Sequence, residues 1–129
     1  MGWNVGDTHE VVLVEDLKRT QIVQYAGASG DYNPLHTDEL FAQKVAGYPT
    51  VFAHGMLTMG MTGRAVTDLV GAESLTKFGG RFTAQVWPGD TLTVKATVES
   101  VDDGLVNFTL TTTNQDGKEV FSGYAAAKA

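Results

Sequence analysis

The sequence predicts an α+β fold in which an antiparallel sheet wraps around one long central helix. The helix is indicated by residues 54–71, which are small or apolar on nearly every side and carry only two charges, Arg64 and Asp68. A helix of this composition is expected to be buried on all sides. The sheet is indicated by residues 91–101 and 105–113, where apolar and polar side chains alternate with the period of a strand. Long strands beside a single apolar helix predict that the sheet covers the helix.

Shorter elements are predicted before the central helix. Residues 9–14 form an apolar run that is suited to a first strand. Residues 17–28 carry apolar side chains at near-helical spacing, and Gly27 or Gly30 is expected to end that helix. Residues 38–46 begin with two acids and are followed by glycine, which predicts a second, short helix.

The chain after the central helix is predicted to supply the rest of the sheet. Residues 78–86 are interpreted as a strand that ends before Pro88-Gly89, and residues 119–127 as the last strand. Asp-Gly pairs at 103–104 and 116–117 are typical of hairpin turns, so consecutive strands are expected to run antiparallel. The 129 residues fit one domain, 1–129, without an internal repeat or a linker.

Composition and charge argue against several classes of function. Fifteen acidic and nine basic residues give a net charge of -6, and the basic residues are scattered, so a nucleic-acid partner is not expected. The absence of cysteine excludes disulfides, thiolate metal ligands and thiol nucleophiles. No segment reaches membrane-spanning length and the first residues lack a signal-peptide pattern, so no membrane contact is expected and the predicted location is the cytoplasm.

The stretch with the clearest chemistry is residues 25–36, Y-A-G-A-S-G-D-Y-N-P-L-H. It places an acid, Asp31, five residues before a base, His36. Glycines loosen the backbone before Asp31, and Pro34 disfavours a helical conformation at the residue before it. Such a loop can aim a carboxylate and an imidazole at one point, which is the geometry that general acid/base catalysis requires.

Longer motifs around this loop resemble those of a known family. S-G-D-Y-N-P-L-H-T-D, followed by V-F-A-H-G-M-L-T-M-G, looks like the paired motif of the MaoC-like (hydratase 2) family of (R)-specific enoyl-CoA hydratases and (3R)-hydroxyacyl-ACP dehydratases. The later R-F-T-A-Q-V-W-P-G-D-T-L resembles a strand and turn of that family. Y-A-G-x-S-G-D and H-G-M-L-T-M-G are notably similar to the catalytic-type subunits of two-subunit dehydratases. The resemblance implies a single hot-dog domain.

The resemblance also implies a hydro-lyase that adds water to trans-2-enoyl thioesters of CoA or ACP, or removes it from (3R)-hydroxyacyl thioesters. It assigns Asp31 and His36 as a catalytic dyad that holds one water, with Asp31 as the base and His36 as the proton donor in the working hypothesis. The backbone N–H of Gly55 would bind the negative charge that develops on the thioester oxygen. His54 would orient that segment, and Asn33 would brace the dyad loop.

Two further residues are candidates for binding the substrate. Met56 could line an acyl tunnel, with core packing as the alternative, and Arg81 could contact a CoA or phosphopantetheine phosphate, with a structural ion pair as the alternative. Asp31, His36 and His54 belong to metal-binding residue types, but their spacing is not that of a helical metal motif. Neither a metal nor another cofactor is therefore expected.

Two other interpretations stay open at this point. A thioesterase on the same fold would also need a carboxylate, although not the Asn-Pro-x-His continuation. The chain could also be a hot-dog subunit, either non-catalytic or active only together with its partner in a heterodimeric dehydratase. Because one hot-dog domain leaves a sheet edge and an acyl site open, a homodimer or a heterodimer with another hot-dog subunit is expected.

Overall fold

Five strands and two principal helices organise the computed structural model, which describes residues 2–129. The strands are β1 (Thr8–Val14), β2 (Leu75–Phe82), β3 (Leu92–Asp102), β4 (Leu105–Thr113) and β5 (Glu119–Lys128). The helices are α1 (Arg19–Ser29) and α2 (Gly55–Val70), and the chain between them forms a 3₁₀ turn (Pro34–His36) and a π-helical turn (Phe41–Val45).

The strands form one antiparallel sheet in the order β1-β3-β4-β5-β2, so β1 and β2 are its edges. The alternation predicted for the long strands decides which face meets the helix. Alternate residues of β3 and β4 are buried and pack with Ala65 and Val66 of α2 in the main core cluster. This arrangement confirms the predicted α+β hot-dog architecture, in which the sheet wraps around a long helix.

The hairpin between β3 and β4 follows from its turn residues. Asp103 and Gly104 have φ angles of 49° and 75°. Two consecutive positive φ values match the right-handed twist of the flanking strands, and an Asp-Gly pair adopts them at low cost. The turn therefore sets the register in which Asp102 lies opposite Leu105.

The predicted central helix is confirmed within one residue at each end, but the prediction that it is buried all round is wrong. Thr58, Thr62, Ala65 and Val66 are its buried residues, and an opposite stripe is exposed. That stripe repeats every four residues: Met56, Gly60, Arg64 and Asp68. The physical reason is that a single sheet has one inner face and can cover only one side of a helix.

Two other element boundaries differ from the prediction. The strand expected at residues 78–86 begins at Leu75 and ends at Phe82, because β2 follows its pairing with β5 and not its own apolar pattern. The short helix expected at residues 38–46 is mostly the π-helical turn. Within residues 2–129, no helix is both long and apolar enough to cross a membrane.

Candidate active site

The site begins in the loop after α1, whose backbone is held by its own side chains. Gly30 ends α1 with a φ of 77°, and its N–H donates to the carbonyl of Ala26. The Asp31 carboxylate accepts a hydrogen bond from the Asn33 N–H (3.2 Å), and the Asn33 side chain accepts one from the Leu35 N–H (3.0 Å). These short-range bonds start the 3₁₀ turn that carries His36, and Asn33 is the N-cap of that turn.

His36 is buried, with 9% of its surface exposed, and a backbone carbonyl holds its ring. Nδ1 lies 2.6 Å from the carbonyl oxygen of Phe52, and the Phe52 ring packs edge-on against the imidazole. Because a carbonyl oxygen only accepts hydrogen bonds, Nδ1 carries the proton in this arrangement. In the neutral ring, Nε2 is therefore an acceptor.

His54 is the N-cap of α2 and ties that helix to the dyad loop. Its Nε2 donates to the carbonyl oxygen of Asp31 across 3.0 Å. Its ring stacks on His36 with 3.8 Å between the ring centroids, and Tyr25 packs edge-on against its other side. With 2% of its surface exposed, His54 is enclosed by these contacts, and the orienting role expected of it stays a prediction.

The three ionisable side chains of the site converge. A carboxylate oxygen of Asp31 and one ring nitrogen each of His36 and His54 lie within 4.8 Å of one another. Burial lowers the pKa of His36 below 6.5, the Phe52 carbonyl opposes this shift, His54 lowers the pKa further, and Asp31 raises it. His36 is thus held neutral beside an exposed carboxylate, a pairing suited to moving a proton.

A cleft of about 340 Å³ opens beside this cluster at the start of α2. Two residues connect the cleft with the cluster. Gly55 lines the cleft and directly follows His54 in sequence, and Phe52 lines the cleft and accepts the hydrogen bond of His36. Phe82 of β2 covers Gly55 so closely that a Cβ there would lie 3.0 Å from its ring. The remaining wall is mixed, with apolar side chains from Ala53, Ala84, Val86 and Val120 and polar ones from Thr58, Thr83 and Gln85. Asp31 and His36 lie beside the cleft and do not line it.

Met56 and Arg81, the two further candidates for binding the substrate, do not lie at this site. Met56 is 55% exposed and lies on the outer stripe of α2. Arg81 precedes Phe82 in β2, and because neighbouring side chains of a strand point to opposite faces, it lies on the sheet face away from Gly55. There it lines a groove with Ser122 and Tyr124. The structure therefore places neither residue at the cleft.

The cluster of Asp31, His36 and His54 is poorly arranged to hold a metal ion. The two imidazole planes differ by only 25° and face each other across 3.8 Å. Metal-binding lone pairs lie in the ring plane, so nearly parallel rings do not aim two nitrogens at one ion within the usual 2.0–2.1 Å. One nitrogen of each ring also donates to a backbone carbonyl.

A clamp behind the site was not visible in the sequence. The Glu39 carboxylate accepts hydrogen bonds from the Thr50 hydroxyl, the Val51 N–H and the Arg19 guanidinium. The Thr50 hydroxyl, the Arg19 guanidinium and the Val51 N–H together lower the pKa of Glu39 to about 2. The clamp holds the segment directly before Phe52, whose carbonyl orients His36.

Known proteins resemble this chain at the levels of family, sequence and structure. The profile of the family described as MaoC like domain matches residues 4–119. The 3-hydroxyacyl-thioester dehydratase Y of Mycobacterium tuberculosis is 38% identical over 94 residues, which are 70% of this chain and 32% of that protein. The peroxisomal enoyl-CoA hydratase 2 of Arabidopsis thaliana is 39% identical over 99 residues, 74% of this chain and 30% of that protein.

Among solved structures, the R-hydratase PhaJ1 of Pseudomonas aeruginosa in its unliganded form superposes with a TM-score of 0.84 and 27% identity, covering 98% of this chain and 82% of that one. Whereas it covers most of PhaJ1, the chain spans only about a third of the length of the two curated relatives, the dehydratase Y and the Arabidopsis hydratase.

Proposed function

The chain belongs to the MaoC-like domain family, and on that premise we propose that it is a hydro-lyase acting on acyl thioesters. The proposed reaction is the (R)-specific hydration of a trans-2-enoyl thioester of CoA or ACP, or the reverse dehydration of a (3R)-hydroxyacyl thioester. The observation that carries the proposal is the convergence of Asp31 and His36 within 4.8 Å beside a cleft that begins at Gly55.

The hydrogen-bond pattern of His36 supports a specific path for the proton. In hydration, the oxygen of a bound water attacks C3 of the enoyl group, and one water proton moves to Nε2 of His36. The Asp31 carboxylate accepts a hydrogen bond from the same water and stabilises the imidazolium that forms. C2 then takes the proton from His36, so that one water has been added across the double bond. This path keeps His36 as the proton donor to C2 but makes it the base as well, in place of Asp31, because a ring whose Nδ1–H is held by Phe52 presents a bare Nε2.

Electrons displaced from the double bond collect on the thioester oxygen, which needs a hydrogen-bond donor. Gly55 is the first residue of α2, a helix of 16 residues, and it lines the cleft. The first N–H groups of a helix have no partner inside the helix, and the helix dipole places partial positive charge there. We assign the Gly55 N–H to this oxygen, and glycine at that position lets the substrate approach the backbone closely.

The names of the relatives fit this reaction class. Dehydratase Y is named for 3-hydroxyacyl thioesters and the Arabidopsis protein for enoyl-CoA, and these are the two sides of one equilibrium. Within the proposal, the acyl group enters the cleft and the carrier stays outside it. The cytoplasmic location expected from the sequence stays a prediction.

We also propose that the chain works as a dimer, either with a second copy or with another hot-dog subunit. Both edge strands of the sheet are open, and β1 exposes Val11 and Val12 on its surface. An exposed apolar edge strand is a ready site for pairing. Met56, which is 55% exposed at the start of α2, would give a partner a second apolar contact.

The first test mixes purified protein with crotonyl-CoA and then with a longer 2-enoyl-CoA. Loss of absorbance at the enoyl-thioester band, with (3R)-hydroxyacyl-CoA as the product, is the expected result. Asp31→Asn and His36→Ala should each nearly abolish turnover while the protein stays folded at the assay temperature. Asp116→Asn, a change of an exposed acid in the turn before β5, is the matched control and should retain full activity. Near-normal turnover in either dyad variant would refute the dyad, and thioester hydrolysis without hydration would favour the thioesterase.

A further inference from the structure

One polar group in the cleft has no partner. Thr58 is 1% exposed, its Oγ1 makes no hydrogen bond within residues 2–129, and the residue lines the cleft beside Gly55. A buried hydroxyl without a partner loses its hydrogen bonds to water and gains nothing in return. Because Thr58 also lines the cleft, a molecule bound there is the candidate partner for this hydroxyl.

Thr62 shows that the helix itself does not impose this situation. It lies four residues further along α2, it is also fully buried, and its hydroxyl pairs with that of Thr112 at 2.8 Å. The two buried threonines of α2 thus differ in whether their hydroxyl groups have a hydrogen-bond partner. The hydroxyl of Thr62 is satisfied by the sheet, whereas that of Thr58 is buried without a partner in a residue that lines the cleft.

The position of Thr58 places its hydroxyl near the start of α2. Side chains of a helix lean toward its N-terminus, so a residue covers the turn that precedes its own Cα. For Thr58 that turn is the one that begins at Gly55. Gly55 and Thr58, which lie one turn apart, both line the same cleft, and the Thr58 hydroxyl is buried beside the start of α2.

We propose that the Thr58 hydroxyl is a second hydrogen-bond donor to the thioester oxygen, acting beside the Gly55 N–H. The assignment rests on the proposed function and names a catalytic residue that the motifs do not identify. In the reaction, the hydroxyl donates to the carbonyl oxygen of the bound thioester. That hydrogen bond strengthens as negative charge develops there, so it lowers the barrier more than it tightens binding.

The test compares the wild-type protein with Thr58→Val, Thr58→Ser and the control Thr62→Val. Thr58→Val keeps the shape and removes the donor, so kcat should fall by about 100-fold with little change in KM. Its unfolding temperature should stay level or rise, because an unpaired buried hydroxyl is replaced by a methyl group. Thr58→Ser should restore most of the turnover. Thr62→Val should show the opposite pattern, with lower stability because Thr112 loses its partner, and normal kcat.

Turnover of Thr58→Val within about twofold of wild type would overturn the inference while leaving the proposed function intact. If the wild-type protein does not hydrate any enoyl-CoA, the proposed function fails, and titration with butyryl-CoA then decides the role of Thr58. Binding that is weaker by about twofold in Thr58→Val, and normal in Thr58→Ser, would support the donor. Equal binding by the wild-type protein, Thr58→Val and Thr58→Ser, or no binding by any of them, would overturn the assignment of Thr58 as a donor.

Discussion

Replacing Gly55 by alanine tests whether the mouth of the cleft is the reaction site. The added Cβ would lie 3.0 Å from Cδ2 and Cε2 of Phe82 and 3.1 Å from Cγ. Carbon atoms in good contact are about 3.5–4.0 Å apart, so the ring has to move by roughly 0.5–1 Å. Phe82 is 47% exposed and can swing toward solvent. The strain is therefore small, and alanine gains helix propensity of up to about 1 kcal/mol, so the net change in unfolding free energy should stay below about 1 kcal/mol.

Activity should respond much more strongly than stability. The methyl group would occupy the place where the substrate has to approach the Gly55 N–H, and the displaced Phe82 ring would change the wall opposite it. A misplacement of about 1 Å at a reacting centre can cost about 100-fold in rate, and kcat/KM of Gly55→Ala should fall by that order. The expected result is a folded protein of normal stability that has lost most of its turnover.

The assay pairs urea unfolding with hydration of a 2-enoyl-CoA, and Gly60→Ala is the matched control. A Cβ at Gly60 would meet nothing within 4 Å, so this variant gains the same helix propensity without a steric effect. It should be slightly more stable than wild type and fully active. A turnover of Gly55→Ala within about threefold of that of Gly60→Ala would show that substrate does not approach this glycine.

Two predictions concern pH. The lowered pKa of His36 keeps its Nε2 bare at pH values where an ordinary histidine is protonated, so the acid limb of kcat/KM should inflect below 6.5; an inflection at or above that value would contradict the role of His36 as the base. Glu39 has a pKa of about 2 against an ordinary 4.5, so its contribution to stability is complete above 4.5 and is lost as the pH falls toward 2. Glu39→Gln should have a lower free energy of unfolding than wild type at neutral pH, and this difference should shrink as the pH falls from 4.5 toward 2. A difference that is independent of pH would show that the charge of Glu39 is not what holds the clamp.

The elements that sequence could predict are those whose pattern repeats. β4 occupies the predicted residues 105–113, and α2 departs from its prediction by one residue at each end. A strand has a side-chain period of two and a helix one of about 3.6, and both patterns can be recognised within the segment itself, without knowledge of what it packs against. The loop with Asp31 and His36 was equally predictable, because glycine and proline act on their own backbone.

The features that sequence could not predict depend on distant segments. The carbonyl that orients His36 belongs to Phe52, and any residue at that position would supply the same oxygen. Thr58 and Thr62 are indistinguishable by type and spacing, and only the sheet decides which hydroxyl finds a partner. The face on which Arg81 lies depends on the pairing of β2 with β5, since a shift of one residue exchanges the two faces of a strand.

The stacked histidines explain why one ring of the site would carry the proton in the proposed reaction. Both rings give one N–H to a backbone carbonyl, which holds each neutral tautomer in place. Protonating His36 is opposed by burial and by His54, but the Asp31 carboxylate favours it. The imidazolium is therefore costly at rest and becomes favourable once negative charge develops on the thioester oxygen, which is the timing that a proton relay needs.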